Sequence, residues 1–198
     1  MRCWARFSAA FASASDSTKA HRYRVRMKPY LYCPQCAQPL IDADHGGRLR
    51  RACPGAVCGF IHWDNPVPVV AAVVEHEGQI ILARNVAWPA SFYALITGFL
   101  ERGESPETGV QREVEEELGL TPQGASYIGS YDFTRQNQLI IAYHVVATGT
   151  VKLNEELADW KHVPFEKIRY WPAGTGYALR DWLRSKGFDP QPMALPTR

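Results

Sequence analysis

The chain has 198 residues, of which 46% are hydrophobic and 21% charged, a composition suited to one ordinary domain with or without a small module. Its uninterrupted apolar stretches, such as Val69 to Val74, fall far short of the roughly 18 residues that suggest a membrane span. The formal charge of +2 is uneven: residues 1–26 hold six Lys/Arg and one acid, leaving 16 basic against 19 acidic residues in 27–198. A mildly acidic body argues against a nucleic-acid-binding surface and needs cations to approach an anionic substrate.

Residues 1–26 are rich in Ala, Ser and Arg, the composition of an organelle transit peptide. A tail or an early start site is the favoured reading, because Met27 opens the segment MKPYLYCPQC, which runs straight into ordered chemistry. The expected organisation is a tail (1–26), a zinc ribbon (27–64), a catalytic domain (65–190) and a short tail (191–198). The expected location is cytoplasmic.

Four of the five cysteines form two pairs, Cys33/Cys36 and Cys53/Cys58, with 16 residues between the pairs. Two turn-borne pairs at this separation suit tetrahedral Zn²⁺. Pro34, Pro54 and Gly59 fit the tight turns that present each pair. Four thiolates close the coordination shell, so this ion is structural, and His45 and His62 are ordinary loop residues. Disulfides and unrelated thiols are the competing readings.

From Val67 the pattern becomes a β-hairpin turning at Glu77-Gly78. A short strand is expected at Tyr93–Thr97, then a loop from Gly98 to Ser105. A helix over Pro106–Leu118 follows, with Ser105 as N-cap and Gly119 closing it. Strands are expected around Tyr127–Phe133 and Leu139–Ala147, and a last helix over Tyr177–Lys186 puts Leu179, Trp182 and Leu183 on one face. The order implies an α+β fold, a mixed sheet between helices.

The segment GFLERGESPETGVQREVEEELGL, 98–120, carries the chemistry. Helical spacing puts Glu113, Glu116 and Glu117 on one face and turns Glu115 away. Such like-charge pairs cost roughly 0.2–0.5 kcal/mol each even when exposed, and hard cations such as Mg²⁺ or Mn²⁺ among the oxygens would relieve them. Arg112 pairing with Glu104 would tie the preceding loop to the helix. A plain charged surface helix is the competing reading.

Gly98, Glu104, Arg112-Glu113, Val114, Glu116-Glu117, Gly119 and Leu120 match every fixed position of GX5EX7REUXEEXGU. The chain thus resembles the Nudix hydrolases. With a cysteine-pair ribbon ahead of ALITGFLERGESPETGVQREVEEELG, it is similar to their NADH pyrophosphatase branch. The resemblance covers most of residues 30–187 and implies an α/β/α sandwich. It also implies metal-dependent hydrolysis of a nucleoside diphosphate derivative, such as NADH, NAD⁺, FAD or ADP-ribose, to monophosphates. By the same resemblance the Thr97 carbonyl, Glu113 and Glu117 are metal ligands, and Glu116 is a further ligand or the base. Glu156 in EELADWKHVPFEKI is the next metal-site candidate, with Glu155 as its substitute. Where that branch carries SQPWPFPxS, this chain has Ser130-Tyr131-Asp132-Phe133-Thr134-Arg135-Gln136-Asn137-Gln138, lacking its prolines and tryptophan. That departure leaves the substrate a class rather than one member.

Tyr131, Phe133 and Trp88 are candidates to stack on a base, and Arg135 to meet a phosphate; packing and surface roles are the alternatives. The expected partner is a small nucleotide, with no membrane, and a homodimer is left open. Two other classes compete: a non-catalytic nucleotide sensor, and a zinc-ribbon protein using Arg48, Arg50 and Arg51 toward nucleic acid or protein. The composition break at Met27 predicts that a chain beginning there keeps its melting temperature and full activity. Loss of solubility or activity would assign residues 1–26 to the domain.

Overall fold

The computed structural model describes residues 30–194. Residues 1–29, with the Met27 expectation, and 195–198 lie outside the described residues. The chain divides into two compact units, one ending at Pro66 and one continuing from Val67.

The first unit is a small antiparallel sheet, β1 (Ile41–Asp44), β2 (Leu49–Ala52) and β3 (Ile61–His62), in the order β1-β2-β3. Its buried apolar residues among those described are Cys33, Leu40 and Ala52, while Leu49 and Val57 face solvent. So small a core does not hold a fold unaided.

The second unit is built on β4 (Val67–His76), an apolar run of which residues 69–74 are almost wholly buried. A strand covered on both faces reads as continuous rather than alternating hydrophobicity. One edge of β4 pairs in parallel with β8 (Gln138–Thr148). The other is shared by β6 (Ile96–Phe99), opposite Val69–Ala72, and β5 (Gln79–Asn85), opposite Val74–His76. Outside these lie β7 (Thr121–Phe133) on β8 and β9 (Leu157–Val163) on β5. The hairpin turns at Glu77-Gly78, as its sequence requires.

Alternation along β4 assigns the two layers. Val70, Ala72 and Val74 pack with Val110, Val114 and Leu118 of α1 (Pro106–Leu118). Val73 packs with Leu179, Trp182 and Leu183 of α2 (Thr175–Ser185) on the opposite face, and Ala71 meets Ala178 there. The result is the expected α+β sandwich of a mixed sheet between helices.

Local chemistry fixes α1 at both ends. The Ser105 side chain accepts from the Thr108 N–H at 3.1 Å, and Pro106 opens the first turn. Gly119 sits at φ 64° and donates to the Glu115 carbonyl, with Lys152 backbone and side chain crowded against it. Only glycine meets both demands at low cost. Several expectations change. His62, expected in a loop, belongs to β3, and the last helix runs over Thr175–Ser185 rather than 177–186. The short strand lies at Ile96–Phe99, with Ala94 making only a bridge to Ala83. The strand beginning near Tyr127 begins at Thr121 and runs through two irregularities. The segment after Glu156, for which no element was expected, is strand β9.

Ser105→Ala removes the N-cap acceptor and should cost about 1 kcal/mol. That is a fall of roughly 2–4 °C in melting temperature for a domain of this size, read by calorimetry. An unchanged melt would show that the cap adds nothing.

Candidate functional site

The carboxylate face of α1 is turned inward as well as along the helix. Glu113 and Glu117 are buried at 7% and 3% exposure, beside Val110, Val114 and Leu118 on neighbouring turns. Glu116 stays at the exposed rim, and Glu115 points to solvent.

Arg112 knits this face together. Its Nε and one terminal nitrogen donate to the two oxygens of Glu104 at 3.1 and 2.8 Å, a bidentate pair. That nitrogen also donates to the Phe99 carbonyl at 3.2 Å. The other terminal nitrogen donates to Glu113 at 2.8 Å and Glu116 at 3.1 Å. Glu104 accepts a further bond from the Glu101 N–H. One guanidinium therefore joins β6, the following loop and α1. The Arg112 hydrogen bonds, with the Glu101 N–H, hold the Glu104 carboxyl below the usual range.

Glu117 has no such partner. Its Oε1 is buried and makes no hydrogen bond. Burial, then the charges of Glu113, Glu156 and Glu116, push its pKa well up. Burial raises Glu113 too, against the pull of Arg112. A buried anion with an orphaned oxygen is costly, and that oxygen fits a hard-cation ligand.

Gly98 explains the register between sheet and helix. A Cβ there would lie 1.8 Å from the Glu113 carboxyl, an impossible contact. The bare backbone next to Thr97 is what lets the Glu113 side chain lie against β6. Thr97 itself is buried in β6, opposite Ala71.

Glu156 reaches the cluster through backbone contacts at the C-terminus of α1. The Lys152 and Asn154 N–H groups donate to the Leu118 and Glu117 carbonyls at 2.7 and 3.2 Å. The Asn154 side chain then accepts from the Glu156 N–H at 3.0 Å. The half-buried Glu156 charge acts on Glu113 and Glu117, whereas Glu155 is exposed and acts on Glu156. Sequence reasoning missed Asn154; the signal was an Asx turn two residues ahead of the glutamate.

The aromatic candidates are distributed differently. Phe133 is buried against Ile140 and Ala178. With Val69, Leu95, Thr97 and Trp88 it lines a small apolar hollow. Tyr131 is half-buried and donates to Asp181 of α2 at 3.1 Å; burial and that carboxylate push its pKa up to about 12. Arg135 is exposed in the turn after β7.

In the first unit, four thiols converge. Sγ of Cys33 lies 3.5 Å from Cys58, and Cys36 lies 3.4 Å from Cys53. All four sulfurs fall within 4.8 Å of one another. These separations far exceed the about 2.05 Å of a disulfide, so the cysteines are free. Burial raises Cys33, but the backbone N–H groups of Gln35 and Cys36 outweigh it and bring the thiol down to about 7. The Phe60 N–H lowers Cys58, but Cys33 and burial prevail and push it up to about 12. The arrangement suits a tetrahedral all-sulfur metal site.

The carboxylate strain predicts an inverted pH response. A carboxyl whose pKa is raised by folding favours the folded state more as it protonates. Without divalent cations, the melting temperature should therefore rise as pH falls from neutral toward the ordinary carboxylate range. Below that, loss of the lowered Glu104 turns the trend downward. Glu117→Gln should flatten the rise and raise the melting temperature of the metal-free protein at neutral pH, because the amide carries no charge to bury. Destabilisation by that substitution would show that Glu117 is compensated. Gly98→Ala should push Glu113 aside and lower stability at any pH.

The NUDIX domain family matches residues 64–184. The NAD-capped RNA hydrolase NudC of Vibrio atlanticus is 30% identical over 145 residues, covering 72% of this chain and 52% of that protein. The protein of the same name from Stutzerimonas stutzeri is 29% identical over 138 residues, covering 68% and 49%. The chain thus spans about half the length of these curated relatives. The crystal structure of a NUDIX hydrolase from Nitrosomonas europaea shares the fold with a TM-score of 0.67 at 20% identity, covering 83% of this chain and 97% of that one. With a family match over more than half its length and the glutamate helix set against a mixed sheet, the chain belongs to the Nudix family.

Proposed function

We propose that the protein hydrolyses the pyrophosphate bond of a nucleoside diphosphate derivative with the help of Mg²⁺ or Mn²⁺. The observation that carries this is the buried Glu113–Glu117 pair beside Glu156, negative charge that one arginine does not neutralise. Bound divalent ions would neutralise pyrophosphate charge and lower the pKa of a coordinated water. Glu113, Glu117, Glu156 and the Thr97 carbonyl would hold them. Arg112 and Glu104 fix the angle of the helix and touch no reacting atom. Glu116, accessible at the rim, is a further ligand or takes the proton from the attacking water.

The substrate class is a dinucleotide or nucleoside diphosphate sugar, with NADH, NAD⁺, FAD and ADP-ribose as members. The relatives' name supports an NAD-type end and extends the class to capped RNA, where sequence alone favoured a free small molecule. Tyr131, Phe133 and Arg135 are proposed to lie along the substrate path, Phe133 as a wall of the hollow beside Thr97. The four cysteines hold one structural Zn²⁺.

Product analysis on these four dinucleotides and on NAD-capped RNA, with Mg²⁺ or Mn²⁺, tests the reading: each substrate cleaved should give two monophosphate ends. Glu117→Gln should lower turnover at least about 100-fold in protein that melts no lower than wild type. Wild-type turnover in that variant removes the mechanism.

The two metal classes should separate by softness. Purified protein should hold about one zinc per chain, and Cys53→Ser should lose it and unfold the first unit. Chelation of Mg²⁺ should stop hydrolysis without releasing that zinc. Zinc-free wild-type protein from zinc-replete cells, with Cys53→Ser equally stable, would make the cysteines plain thiols.

A further inference from the structure

A further donor cluster in the second unit shares no residue with the carboxylate cluster. His76 ends β4, Glu77 begins the hairpin turn, and His162 stands on β9 opposite Ile81 of the intervening β5. One nitrogen of each imidazole and a Glu77 oxygen fall within 4.8 Å of one another. His76 is buried, His162 half-buried and Glu77 exposed. The cluster therefore has a fixed floor and an open mouth.

The floor has a defined tautomer. His76 Nε2 lies 3.0 Å from the Gly149 carbonyl oxygen, which can only accept. In the neutral ring this puts the proton on Nε2, and Nδ1 then presents a lone pair toward His162. A backbone carbonyl behind a histidine is the usual outer support of a metal ligand. His76 Nδ1 and His162 Nε2 are 2.9 Å apart. The rings lie 16° from coplanar with centroids 5.1 Å apart, about as far as that contact allows, so the two nitrogens face each other in line. His162 Nε2–H donates to His76 Nδ1, and Trp160 packs edge-on against the His162 ring at 4.8 Å.

We propose that this cluster is a binding site for Zn²⁺ or a similar borderline cation, with His76 Nδ1, His162 Nε2 and a Glu77 oxygen as ligands and water completing the shell. Two nitrogens at about 2.0–2.1 Å from one ion are themselves roughly 3 Å apart, close to the present separation, but an ion on the His76 lone pair requires His162 to swing its Nε2 roughly 2 Å to the side of that line. Its proton moves from Nε2 to Nδ1 through solvent, and the neutral pair releases no net proton. Mixed nitrogen and oxygen donors select zinc over magnesium. His162 lies six residues along the chain from Glu156, about 20 Å on an extended strand. The ion would therefore pin the hairpin turn to β9 and to Gly149, remote from the carboxylate cluster and without bearing on the proposed hydrolysis.

The test uses the full chain with its thiolate zinc in place, equilibrated with micromolar Zn²⁺ under excess Mg²⁺ and freed of unbound metal. Wild type should retain two zinc ions per chain and His162→Gln one. Glu77→Gln, at an exposed turn, should weaken the second ion at least about tenfold. A second equivalent of Co²⁺ should give visible ligand-field bands without the thiolate charge-transfer band of the first. Added Zn²⁺ should raise the melting temperature of zinc-ribbon-loaded wild type but not of His162→Gln. Equal zinc in wild type and His162→Gln, or thiolate charge transfer from the second cobalt, would overturn the proposal.

Discussion

Two carboxylates that cannot leave the core, Glu113 and Glu117, set the terms for what is packed around them. Buried negative charge in a helix would ordinarily be neutralised by a cation of its own. Here a single guanidinium serves the face, and most of its bonds go elsewhere: two to Glu104, one to the Phe99 carbonyl and one to the exposed Glu116. Arg112 therefore acts as a geometric tie. Glu113 receives one bond from it and Glu117 none. The burial of two carboxyls with so little compensation is a property of the folded chain.

Three backbone features hold the carboxylates at that depth. Gly98 leaves room on β6 for the Glu113 side chain. Gly119 stops the helix at once, so that Lys152 and Asn154 can cap its carbonyls. Asn154 then orders the residue pair from which Glu156 is turned toward the cluster. None of these positions reacts with anything. They convert a helical repeat of glutamates into a pocket of oxygens, which explains why a motif dominated by acids also fixes glycines at particular spacings.

Sequence was most legible where the determining chemistry is local. Ser105, Pro106 and Gly119 mark both ends of α1 because capping acts within one turn. The spacing of the two cysteine pairs points to their convergence, and the four sulfurs do lie within 4.8 Å of one another. Strand β9 was not legible: its Asp159 and Lys161 face solvent, and it exists because β5 offers an edge. Pro122, Gly124 and Gly129 hid the length of β7, since each reads as a breaker yet is absorbed by irregular pairing. That Glu156 rather than Glu155 acts on Glu117 depends on the Asn154 turn, and the burial of Phe133 needed α2. The His76–His162 contact joins residues 86 positions apart and leaves no local trace.

The strained face persists because the rest of α1 is invested in the opposite sense. Val110, Val114 and Leu118 are fully buried against Val70, Ala72 and Val74 of the central strand. Each such side chain contributes about 1.5–3 kcal/mol on burial, comparable with the about 1–3 kcal/mol that an unsatisfied buried polar group costs. The helix can hold two unfavourable carboxylates without leaving the sheet because its apolar stripe is anchored to the best-buried strand in the fold. The depth of Glu113 and Glu117 is thus tied to the packing of that stripe against β4.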